Sequence, residues 1–226
     1  MLSSQKKMKD YNATIIIDLT KSNEELENNI KREARKAVRK AIKSGIKFEE
    51  SDDWSSFKKI YLKEWWCADS ERILDKNLEQ WKINKSKKLF FARKNSDIAG
   101  FAVIEFSGKK VILYRVLGRE KFAQFRPTDF MYWNLIFWAK KNNYELLDFG
   151  GFQINAKGNL TGVNRFKMKF GGRIKYYEVK GSPFYILLRK IVNKFPFLSI
   201  IKRKIMGSHL NRSIKELKQQ TAKKDK

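Results

Sequence analysis

The 226-residue chain carries 50 Lys and Arg against 24 Asp and Glu, a formal net charge of +26, with 42% hydrophobic and 14% aromatic residues. That length and apolar content suit one well-buried domain with a tail, and they exclude a chain disordered throughout. A single cysteine, Cys67, excludes an internal disulfide framework; a single histidine, His209, excludes a His-based metal site and argues against Ser-His-Asp or Cys-His catalysis.

In chain order, ATIIIDL (13 to 19) reads as a short buried strand. Ser22 and Glu25 then stand at capping-box spacing and open a helix that runs to Ser44, with Gly45 as its stop. Leu26, Ile30, Ala34, Ala37, Val38 and Ala41 form its apolar stripe. Lys31, Arg32, Arg35, Lys36, Arg39, Lys40 and Lys43 occupy the other faces with Glu33 alone. This is either a solvated basic face or an electropositive wall beside a phosphate-bearing substrate.

IKFEE (46 to 50) is a second strand, WSSFKKIYLKEWW (54 to 66) a helix, and a further helix reaches about Lys85. KLFFARK, IAGFAVIEF and KKVILYRVL follow, separated by Asn95-Ser96-Asp97 and Ser107-Gly108, and predict a three-stranded antiparallel meander. Arg126-Pro127-Thr128 opens the next helix, with Thr128 as its expected cap. DFMYWNLIFWAKKNN is apolar nearly all round and predicts the central core helix. YELLDFGG is then an inner strand ending in a glycine break, VNRFKMKFGG a helix turn, and RIKYYEVKG a last strand. Beyond Phe184 the chain is amphipathic and basic, interrupted at Pro196, and reads as a packed terminal helix or as a helix on an anionic membrane surface.

Two negatives narrow the chemistry. The chain has neither a G-x-x-x-x-G-K-S/T loop nor a dinucleotide-binding glycine fingerprint, and Cys67 beside Trp66 reads as a small buried hydrophobe. Catalysis, if any, must work by positioning and electrostatics on an already activated substrate. Arg115 and Arg126 are candidate contacts for an anionic substrate. No stretch approaches a signal-peptide or membrane-spanning segment, so the expectation is a cytoplasmic protein, peripheral at most on the inner face of the membrane.

Three segments, taken together and in order, resemble a known family. They are the basic strand-helix-strand from Asp18 to Glu50, RPTDFMYWNLIFWAKKNNYELLDFGG, and GVNRFKMKFGG with the strand after it. The chain is similar to the Fem-type peptidoglycan bridge aminoacyltransferases and to BioF2-like acetyltransferase domains, through the D-F-G-G strand end and the F-K-x-x-F-G-G element some 15 residues later. The resemblance implies an α/β (α+β) fold: one GNAT-like acyltransferase domain with a mixed, largely antiparallel central sheet flanked by helices. To this the sequence adds a C-terminal basic amphipathic helix. The expected organisation is an N-terminal extension (1–12), the acyltransferase domain (13–183) and the basic tail (184–226).

The resemblance also implies acyl transfer to an amine. The donor would be aminoacyl-tRNA and the acceptor a lipid-linked or nucleotide-linked peptidoglycan precursor, with no cofactor. By the same resemblance Lys167 is the candidate catalytic residue. Phe166, Asp148, Gly150 and Gly151 would lie at the substrate site, with Gly171 and Gly172 closing the motif. Fem enzymes typically have two GNAT-like halves and this chain has room for one. Two alternatives stay open. One is an acyl-CoA-dependent N-acyltransferase acting on an amino sugar or surface polysaccharide precursor, disfavoured by the single glycine of RVLGREKFAQF; the other is a non-catalytic RNA- or membrane-binding module.

Overall fold

The computed structural model describes residues 11–65, 69–154 and 156–179. The chain divides into two compact units, Asn12–Tyr176 and a second made of Met1–Tyr11 with Tyr177–Lys226. The side chains discussed below belong to the first. Cys67, His209 and the basic tail lie outside the described residues.

The elements run β1 (Tyr11–Asp18), α1 (Asn23–Asn29), α2 (Arg32–Lys43), β2 (Ile46–Ser51), α3 (Trp54–Glu64), α4 (Glu71–Asn84), β3 (Lys87–Lys94), β4 (Asp97–Ser107), β5 (Lys110–Gly118), a 3₁₀ turn (Glu120–Phe125), α5 (Pro127–Lys141), β6 (Leu146–Phe152), α6 (Asn159–Met168) and β7 (Arg173–Glu178). One seven-stranded sheet has the order β2-β3-β4-β5-β6-β1-β7. The meander β3-β4-β5 forms as the turn chemistry predicts, and β2 extends it antiparallel to β3. β5 and β6 pair in parallel. This is the mixed, largely antiparallel sheet flanked by helices that the sequence predicts.

The period of two in the strands distributes side chains between two cores. Phe90 and Ala92 join a cluster with α1, α2 and α5, whereas Leu89 and Phe91 join one with α3 and α4. α5 crosses the first cluster with Phe130, Met131, Tyr132, Leu135, Ile136 and Ala139 buried, so its nearly uniform apolarity does mark the central helix.

Two local expectations are corrected. The helix expected from Ser22 to Ser44 is two helices. The capping box between Ser22 and Glu25 is present, but Ile30 is extended and 1% exposed, turning the chain to plug the core. The Arg35 guanidinium donates to the carbonyls of Glu27 and Ile30, at 2.8 and 2.9 Å, and replaces the lost helical bonds. Nor does Thr128 cap α5. Arg126 holds that position at φ 59°, making no side-chain cap bond, and the Thr128 hydroxyl packs where Gly118 leaves room for it.

Candidate functional site

β5 and β6 pair at only three positions, Lys110–Leu146, Val111–Leu147 and Ile112–Asp148, and then part. The cause is local. At Gly150 β6 adopts φ +70°, a conformation costly for residues with a Cβ. The Asp148 carboxylate fixes that bend by accepting from the Gly150 N–H at 2.8 Å, and it also accepts from the Thr14 hydroxyl on β1 and pairs with Lys110 Nζ at 2.5 Å. Asp148 is buried, with both oxygens engaged. It shapes the site through the backbone.

A cavity of about 810 Å³ lies beyond the point of parting, a size suited to a small ligand. Its walls are Val116 of β5, Thr128 and Tyr132 of α5, and residues of α6 that include Thr161, Arg165, Phe166 and Lys167. Asn164 latches that helix in place: it is 8% exposed, donates to the Gln153 carbonyl at 2.8 Å and accepts from the Gln153 N–H at 3.0 Å. Phe166 and Phe170, one turn apart, pack on Tyr132 at centroid distances of 5.2 Å each. The double glycine that follows is a close-packing device. Gly171 has φ +81°, and a Cβ there would stand 2.7 Å from the Asn29 carbonyl oxygen.

Lys167 therefore points from α6 towards the end of β6, where its ammonium donates to the Gly151 carbonyl at 3.0 Å. Burial pulls its pKa below the ordinary lysine value, and the Asp148 carboxylate partly offsets this. Burial pushes the Tyr132 phenol well above its usual range, so it is a neutral hydroxyl at ordinary pH, able to donate a hydrogen bond. A partly desolvated cation and an aromatic wall thus line one cavity. Such a set can hold an acyl group and stabilise negative charge developing on its oxygen.

Lys167 and Phe166 line the cavity, and Gly150 and Gly151 form the strand end beside it. Arg126 is exposed next to Thr128 and is not part of the wall. Arg115 is directed elsewhere: its neighbour Val116 faces the cavity, while its own guanidinium lies over Tyr114 and Trp65, 4.2 and 5.6 Å from their ring centroids, beside the second core. Its Nε is buried with no hydrogen-bond partner among the described residues. Sequence reasoning missed Thr128 as a wall residue, Tyr132, Asn164 and Arg165. Of these only Asn164 left a signal, a lone uncharged polar residue ahead of the Phe-Lys pair.

The FemAB family model matches residues 70–182, half of the chain, and the chain belongs to the FemAB family. Among solved structures it is similar to FemX (16% identity, TM-score 0.64, 82% of this chain and 65% of that one). It is also similar to L-PGS from Bacillus licheniformis (12% identity, TM-score 0.52, 82% and 66%). A third similar structure is a C-terminal DUF2156 domain from Agrobacterium fabrum ascribed to a lysylphosphatidylglycerol synthetase (14% identity, TM-score 0.54, 80% and 64%). The chain spans just under two thirds of each of these proteins. A search of the curated proteins finds no match.

Proposed function

We propose that this protein transfers an aminoacyl group from aminoacyl-tRNA to the amine of a peptidoglycan precursor. The observation that carries the reading is the placement of Lys167 and Phe166, the Phe-Lys pair of a FemAB-family chain, in the cavity where β5 and β6 part. An aminoacyl ester is already activated, so the protein has to hold ester and amine in reacting geometry and stabilise the oxyanion. In this reading Phe166 and Tyr132 give the acyl group an apolar seat. The amine attacks the ester carbonyl, the Lys167 ammonium stabilises the resulting oxyanion, and collapse expels the 3′-terminal ribose hydroxyl of the tRNA while the new amide loses its proton to solvent.

A second acceptor deserves the same test. Ile154, Leu160 and Val163 are exposed apolar residues in and before α6, and Val163 lines the cavity mouth. That apolar rim, with the fold shared with L-PGS, favours an acceptor presented at a lipid surface.

The test offers the full chain labelled aminoacyl-tRNA or acetyl-CoA, with a muropeptide precursor or phosphatidylglycerol vesicles as acceptor. Transfer from aminoacyl-tRNA is expected, with a fall of roughly 10² or more in Lys167→Ala from loss of one oxyanion contact. Transfer from acetyl-CoA alone overturns the reading. Label appearing only in lipid moves the acceptor from peptidoglycan to phospholipid.

A further inference from the structure

α2 carries a stripe that neither the core nor the cavity uses. Arg32, Lys36, Arg39, Lys40 and Lys43 are all exposed, with Glu33 the single acidic residue of the helix. Their spacing of three and four residues lines them along one face for about 16 Å. Arg32–Lys36, Lys36–Lys40 and Arg39–Lys43 are like-charged pairs one turn apart, an arrangement that destabilises a helix. Elsewhere Lys58, Lys87, Lys110 and Arg119 meet carboxylates, but among the described residues none of these five forms an ion pair. The remaining cation, Arg35, is spent on the carbonyls of Glu27 and Ile30.

The stripe begins beside the site. The Lys31 N–H, at the start of α2, donates to the Lys169 carbonyl at the end of α6 at 2.8 Å, and Lys169 in turn pairs with the Asp129 carboxylate in the first turn of α5. An extended polyanion lying along α2 therefore reaches the α5–α6 end of the cavity at Arg32.

We propose that the exposed face of α2 is the docking surface for an RNA phosphate backbone, holding the body of the donor while its acylated end enters the cavity. The proposal rests on the aminoacyl-tRNA reading for the identity of the RNA. Charge complementarity selects the occupant: an unscreened row of cations is relieved by a row of phosphates, and cation–phosphate contacts suffice for binding. A bilayer fits less well. Lasting adsorption of a surface helix needs an apolar face to insert, and α2 buries Ala34, Val38 and Ala41 in the core while exposing one large apolar residue, Ile42.

The experiment measures binding of the full chain to uncharged bulk tRNA across a salt series, with phosphatidylglycerol vesicles in parallel. Binding is read directly, so the outcome does not depend on transfer: docking stands or falls even where no donor is turned over. The test variant combines Arg32→Ala, Lys36→Ala, Arg39→Ala and Lys43→Ala, four exposed positions where alanine favours the helix, with circular dichroism to check folding. A control of equal charge combines Lys59→Ala, Arg72→Ala, Lys76→Ala and Lys82→Ala, exposed positions on α3 and α4. The test variant is expected to lose roughly tenfold or more in tRNA affinity, and its log K against log salt slope to fall by about 3, one counterion term per removed contact. The control should stay near the parent on both measures. Affinity within about twofold of the parent, an equal loss in the control, or a loss on vesicles as large as that on tRNA overturns the proposal.

Discussion

Asp148 and Lys167 carry the geometry of the site between them. Asp148 joins Thr14, Lys110 and the Gly150 N–H, and so holds β6 in the bend that opens the cavity. Asp148→Ala strands the Lys110 ammonium and frees Gly150. We expect a loss of about 2–3 kcal/mol in urea unfolding, the scale for hydrogen bonds to a charged group, together with a raised KM for the donor. Lys167 is a half-desolvated cation, and its folded pKa lies below the ordinary value of 10.5. In the proposed role of oxyanion stabiliser it would work protonated, so the rate should fall as pH rises through that lowered pKa. Lys167→Arg stays charged over this range and should lose that alkaline limb while keeping part of the activity. A pH–rate profile of kcat checks both. Deprotonation also removes the cost of burying the charge, so stability rises as activity falls over the same window, and the two can be told apart.

At the scale of the elements, termini and latches decide where each helix stops. α3 begins at Asp53, whose carboxylate accepts from the Ser55 hydroxyl and the Ser56 N–H at 2.6 and 2.9 Å. These bonds lower its pKa from 3.8 to about 2. The carboxylate thus contributes stability above pH 3.8 that is lost as pH falls towards 2. Asp53→Ala should cost about 1 kcal/mol at neutral pH, and the gap to the parent should close between pH 4 and pH 2 in thermal melts. The α6 latch is a matter of position more than stability. Asn164 binds both backbone groups of Gln153, and the helix it fixes carries Phe166 and Lys167 into the cavity wall.

For the Asn12–Tyr176 unit as a whole, one sheet separates two cores, and only one of them borders the cavity. Phe91 is fully buried against α3 and α4, away from α5 and α6. Phe91→Ala should cost about 3–5 kcal/mol in stability, read by denaturant midpoint, and leave the KM of the folded enzyme near the parent's. Among the described residues no helix is long and apolar enough to cross a membrane.

Local chemistry written into the sequence was enough for the strands, the hairpin turns at Asn95 and Gly108, the capping box at Ser22, the central helix and the fold class, because each depends on periodicity or on a few neighbouring residues. The glycine bend of β6 was legible for the same reason, whereas the Phe-Lys pair was marked by the family resemblance. Tertiary structure alone decided the rest. The break at Ile30 answers to a core that needs its side chain, a demand no propensity records. Arg115 and Val116 are adjacent in sequence, yet the strand sends one to an aromatic box and the other to the cavity. Tyr132 and Thr128 became wall residues only when β5 and β6, distant in sequence, paired for three residues and then diverged. That parting depends on Thr14, Lys110 and Asp148 meeting from three strands, a long-range contact that no local pattern encodes.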